Sequence, residues 1–231
     1  KAWESDNVIR IFKSEDIAEK KIYKNYDKIN SFRFFAENVP DFAFAMSDHY
    51  KWKMKNVSSS KVILQAAFRP NAIAYNKYDV FRVAEKFIEY MGSSYPGVSY
   101  PYPSMSVFNG EGGMEYPMII NDDDTETWES TVYLTSHEMS HTFFPFYMGI
   151  NERKYAWMDE GWAVFLPQEF QAAMGKYAPE NAARDTNRID SRAYNVRSYL
   201  RTAGTFYDLP MLSISSQIRS RSYRLNASNK A

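Results

Sequence analysis

Apolar positions set the elements along the chain. Near the start "NVIRIF" (7–12) reads as a short strand, and "SEDIAEKKIYKNYDKI" (14–29) as a helix with Ser14 as N-cap. The apolar stretch "VPDFAFAMSDHY" (39–50) predicts a helical turn. "KVILQAAF" (61–68) alternates Val62, Leu64, Ala66 and Phe68, the period of a half-buried strand. In "YDVFRVAEKFIEYMG" (78–92), Val80, Val83, Ala84, Phe87, Ile88 and Met91 recur at helical spacing, with Gly92 suited to the C-cap. The Pro- and Gly-rich run 98–122 predicts one or two strands broken by a glycine loop.

From Asp122 the pattern turns helical. "DDDTETWESTVYLTSHEMSHTFFPF" opens with acids, which favour a helix N-terminus, and Pro145 marks its end. A second helix is predicted from about Ala156 through "WMDEGWAVFL", with Pro167 as a kink. Two more helical stretches lie within 183–204 and 209–221. Strands first and helices later predict an α+β domain: a mixed strand and helix half over 1–126 and a helical half over 127–231.

Composition narrows the function. The 231 residues hold 28 basic and 28 acidic groups, so no basic surplus points to nucleic acid. No apolar run approaches the ~20 residues that span a bilayer. With no cysteine, disulfides and thiolate zinc sites are excluded, and any metal must be held by histidine and carboxylate. The chain starts at Lys1 and shows no signal segment, which reads as a processed chain or a fragment. The expected location is extracytoplasmic.

The chemistry lies in "HEMSH". His137 and His141 are four apart on a predicted helix, so both imidazoles project from one face. Glu138, next to His137, leans beside the metal and can polarise a water. A catalytic zinc takes three protein ligands. Glu160 is the third, with 18 residues between it and His141, across a reversing loop and on a second helix. It is preferred to Glu152, which lies in the loop and is held less rigidly. Asp159 is turned about 100° away around the helix and is placed behind the ligands, orienting a histidine. His49 reads as a surface residue, and Met139, Phe143 and Phe144 as core. One zinc ion is the expected cofactor, and peptides the expected substrates. A zinc-stabilised binding scaffold and a thermolysin-type endopeptidase are the alternatives.

"HEMSH" followed by "DEGWA", with 18 residues between His141 and Glu160, resembles the gluzincin zinc aminopeptidases, the alanyl aminopeptidase and leukotriene hydrolase type. "GGMEYP" resembles that family's G-x-M-E-N box, with 21 residues between Glu115 and His137. "FFAENVPDFAFAMS" resembles the segment entering the family's catalytic domain. The likeness runs from about Phe34 to Phe165. It implies a thermolysin-like zincin domain, with His137, His141 and Glu160 as zinc ligands and Glu138 as general base. It further implies that Glu115 binds the substrate's free amine, and that Gly112 and Gly113 pair with the peptide backbone. Departures are Tyr116 in place of Asn, and Pro167 where a second acid often stands. Ser228 stands where the family has its catalytic tyrosine, with Tyr223 the nearest substitute as oxyanion donor. A larger chain with further domains is expected around this core.

Overall fold

The computed structural model describes residues 37, 39–182, 191–218 and 227–228. The strand and helix expected over 7–29, and Tyr223, lie outside them.

A five-stranded mixed sheet forms the base, in the order β1-β2-β3-β5-β4. Strands β1 (Lys51–Val57) and β2 (Val62–Phe68) make an antiparallel hairpin. The chain then runs through a short helix α1 (Ile73–Asn76) and the longer α2 (Val80–Ser93). It returns as β3 (Ser104–Phe108), parallel to β2, as a crossover connection requires. Two three-residue strands complete the sheet. β4 (Met114–Tyr116) is the edge, and β5 (Ile119–Asn121) is inserted between β3 and β4, parallel to the first and antiparallel to the second.

The alternation read in β2 holds: Val62, Leu64, Ala66 and Phe68 are buried. They meet the apolar face of α2, where all six periodic residues, Val80 through Met91, are buried. Met105, Val107 and Ile120 extend this layer across the sheet. The other face is more open, with Trp52, Ile63 and Met114 each about two-fifths exposed.

Helix α3 (Trp128–Ser140) packs beside α2 through Trp128, Val132 and Met139. Its burial is not one-sided, because Thr131, Thr135, Ser136 and Ser140 are buried too. Three of them satisfy their hydroxyls on the carbonyl four residues back: Thr131 on Thr127 (2.9 Å), Ser136 on Val132 (2.6 Å) and Ser140 on Ser136 (2.7 Å). A helix can thus be sandwiched without an apolar stripe. After it come a π-type turn over Thr142–Tyr147, a 3₁₀ turn over Ala156–Met158, α4 (Glu160–Phe165), α5 (Gln168–Met174) and α6 (Ser191–Leu200).

Several expectations are corrected. The 39–50 stretch forms no helical turn and no strand, with Phe42, Phe44 and Met46 exposed. Gly92 lies inside α2, and Ser94 is the C-cap. The run 98–122 yields three strands. The acids 122–124 precede α3, whose N-cap is Thr127, accepting from the Ser130 amide at 3.1 Å. The helix ends at Ser140, with Pro145 inside the following turn. Pro167 divides α4 from α5 rather than kinking one helix. Within 209–218 only Ser215–Gln217 is helical, as a 3₁₀ turn.

Candidate metal centre

α3 and α4 carry the cluster. His137 and His141 lie at the C-terminal end of α3, and the loop 148–155 reverses the chain so that Glu160 opens α4. The ligand atoms of His137, His141 and Glu160 lie within 4.8 Å of one another. His137 Nε2 faces Glu160 Oε2 at 3.4 Å. Tyr133, one turn back, stacks on the His137 ring with centroids 5.6 Å apart, and the two imidazoles meet edge to face at 5.0 Å.

His141 is fully buried. Its Nδ1 has two acceptors: a carboxylate oxygen of Asp159, in close contact, and the Phe144 carbonyl at 3.1 Å. Two acceptors place a proton on Nδ1, so the other nitrogen is the one left for a ligand. Among the described residues, Nε2 is indeed buried with no hydrogen-bond partner. Burial lowers the pKa of His141, but Asp159, Glu115 and Glu160 more than offset it and raise it to about 10. Nε2 therefore demands a positive partner, either a proton or a metal ion.

Glu138, beside His137, faces the sheet. Burial pushes it up to about 8, with His141 pulling the other way and Asp122, Glu115 and Glu160 adding to the rise. Glu115, on β4, projects toward the same place, and Glu115, Glu138 and His141 form a second group within 4.8 Å. Burial raises Glu115 as well. Four carboxylates, Glu115, Glu138, Asp159 and Glu160, thus converge on two imidazoles. Such an excess of negative charge in a partly dry cleft favours uptake of protons or of a cation. Two imidazoles and a carboxylate are also the donor set of a catalytic zinc. The residues fit that ion.

Of the other expected residues, Gly113 lies against Glu138, and Gly112 has φ 71° and is exposed. Glu152 is in the loop, half-buried. Its carboxyl is raised by burial and then by Asp159 and Glu115. His49 is exposed and bonded to Asp48 at 2.8 Å. Met139 and Phe143 are core, and Phe144 is partly buried against it, stacked on Trp162 at 4.9 Å. Sequence reasoning missed the Phe144 carbonyl. No side-chain signal marks it, because the acceptor is a backbone oxygen.

No protein-family model matches the chain, and no curated protein does. Solved structures do. An M1 zinc metallopeptidase from Deinococcus radiodurans, in a mutant form bound to a Tyr-Ser-Ala substrate, matches with TM-score 0.51 at 11% identity. The match covers 79% of this chain and 38% of that one. The same peptidase without the mutation gives TM-score 0.50 at 11% identity over the same shares. The chain therefore has the fold of part of an M1 zinc metallopeptidase, and spans under two-fifths of the length of these solved chains. No helix among the described residues is long and apolar enough to cross a membrane.

Proposed function

We propose that this domain is a thermolysin-like zincin that hydrolyses peptide bonds, with zinc held by His137, His141 and Glu160, and that it acts at free N-termini. One observation carries the reading. His141 is fixed at Nδ1 by Asp159 and Phe144 while its buried Nε2 is left without a partner, beside His137 and Glu160. The likeness to M1 zinc metallopeptidase structures supports the fold on which this rests.

Zinc bound there supplies Lewis acidity to a water and to the scissile carbonyl. Glu138 takes the proton of the attacking water and hands it to the leaving amine. Burial suits that task, since a carboxylate with a raised pKa is a stronger base, and the neighbouring cation keeps it ionised. Glu115 pairs with the substrate's ammonium group. β4 is the terminal strand of the sheet among the described residues, so an extended peptide could pair with its outer edge, and Gly112 and Gly113 bring no side chain into the way. Further domains of a longer chain complete the substrate cleft.

The test compares aminoacyl and N-blocked peptides, with and without chelator, for the wild type, Glu138→Gln and Glu115→Ala. Chelator and Glu138→Gln should each abolish turnover, the variant with its zinc content intact. Glu115→Ala should weaken binding of free-amine substrates. Cleavage of N-blocked peptides, indifferent to Glu115→Ala, marks an endopeptidase instead. Stoichiometric zinc with no cleavage of either class marks a binding scaffold.

A further inference from the structure

The segment Gly110–Gly113 has to cross the sheet. The strand order places β5 between β3 and β4, so the chain leaving Phe108 passes over the end of β5 before it can enter β4. A crossing backbone lies outside the strand ladder and needs other hydrogen-bond partners. Asn121, the last residue of β5, supplies them. Its Nδ2 donates to the Glu111 carbonyl at 2.7 Å and, at a longer 3.4 Å, to the Gly112 carbonyl.

Gly110 packs on the same amide. A Cβ at Gly110 would overlap Asn121 Oδ1 and lie 2.8 Å from Asn121 Cγ. At the far end of the loop, a Cβ at Gly113 would overlap Glu138 Oε1 and lie 3.0 Å from Glu138 Cδ and 2.8 Å from Leu134 Cδ1. The loop is thus gripped at one end by Asn121 and rests on the Glu138 carboxylate at the other. Two residues on, Glu115 enters the metal cleft.

We propose that Asn121 and Gly110 form a clamp that sets the position of the crossing loop, and through it seats Gly113 against Glu138 and Glu115 beside His141. Asn121 acts through the backbone and is a positioning residue. Neither member of the clamp belongs to the ligand cluster. The effect on turnover rests on the peptidase reading above, whereas the clamp itself does not.

The experiment is a double-mutant cycle on the zinc-loaded protein with Gly110→Ala, Asn121→Ala and the pair, plus Asn121→Asp, which keeps the shape and removes the donor. Asn121→Asp and Asn121→Ala should lower kcat about tenfold or more, since misplacement by ~1 Å costs up to ~100-fold. Zinc content should not change, and amide exchange should quicken across residues 111–116. Gly110→Ala alone should do the same. In the pair the losses should not add, because removing the Asn121 side chain makes room for the new methyl. Additive losses, or Asn121→Asp with wild-type kcat and exchange, overturn the clamp. If the wild type cleaves no peptide, the peptidase reading fails, and the clamp stands or falls on the exchange rates and on the same cycle in unfolding midpoints.

Discussion

Asp122 and Glu138 are two buried carboxyls at neighbouring levels along α3, and they differ in what faces them. Glu138 borders the His137, His141 and Glu160 cluster. Asp122 is 1% exposed, accepts from Thr135 Oγ1 at 2.6 Å through Oδ2, and leaves Oδ1 buried without a hydrogen-bond partner among the described residues. Burial raises it to about 7, Thr135 opposing and Asp123 adding. A carboxyl whose folded pKa lies above its unfolded value binds its proton more tightly when folded. Stability is then highest below the unfolded value near 3.8 and falls as pH rises toward about 7, by at most ~1.4 kcal/mol for each pH unit crossed. Asp122→Asn should therefore gain on the wild type as pH rises. Urea midpoints of the metal-free proteins at pH 4.5 and 8 measure this, and an advantage that shrinks with pH refutes it. The sequence shows three consecutive acids and no difference among them. Only the fold buries Asp122 and sends Asp124 to accept the Ala74 amide at 2.8 Å.

Elements were legible where one periodicity dominated. α2 and β2 each bury one clean face, so their apolar positions name the core directly. α3 was legible as a helix but not in its limits, because the signal for its start, the acids at 122–124, serves the strand end and α1 instead. The 42, 44, 46 apolar alternation is a period of two, and reading it as a helical turn set length above period. β4 and β5, at three residues each, are too short for any period, and their order comes from the crossing over Asn121. The start of α3 gives an element-level expectation. Thr127 caps the helix that carries both histidines, and Thr127→Ala should cost about 1 kcal/mol of global stability. The cap lies far along the helix from His137, so zinc affinity should stay within about twofold, the cap's influence being confined to the first turn. Denaturant unfolding and a zinc titration separate the two. A large loss of affinity with unchanged stability would contradict this division.

At the scale of the molecule, the cluster joins parts that the sequence shows separately: α3, α4 and, through Glu115, the sheet edge. The His and Glu spacing made α3 and α4 readable as partners. The approach of β4 to them came from a resemblance, since no local pattern encodes a contact between a strand edge and a distant helix. These parts are already placed by burial. α4 packs Gly161, Ala163 and Val164 inward, and one apolar cluster runs from Val57 to Met174. A metal here ties preformed elements rather than nucleating them, unlike small zinc domains that unfold without it. Metal-free protein should keep its far-UV circular dichroism and lose heat stability. At zinc a hundred times Kd the ion contributes ~2.7 kcal/mol, which is roughly 5–10 °C in Tm for a chain of this size. His141→Ala should abolish that shift, because it removes a ligand. Glu138→Gln should retain it, because on the proposed reading Glu138 acts as base and not as ligand. Scanning calorimetry of the three proteins, with zinc and with chelator, reads this without any substrate. Loss of the shift in Glu138→Gln as well as in His141→Ala would place the ion in the Glu115, Glu138 and His141 group instead.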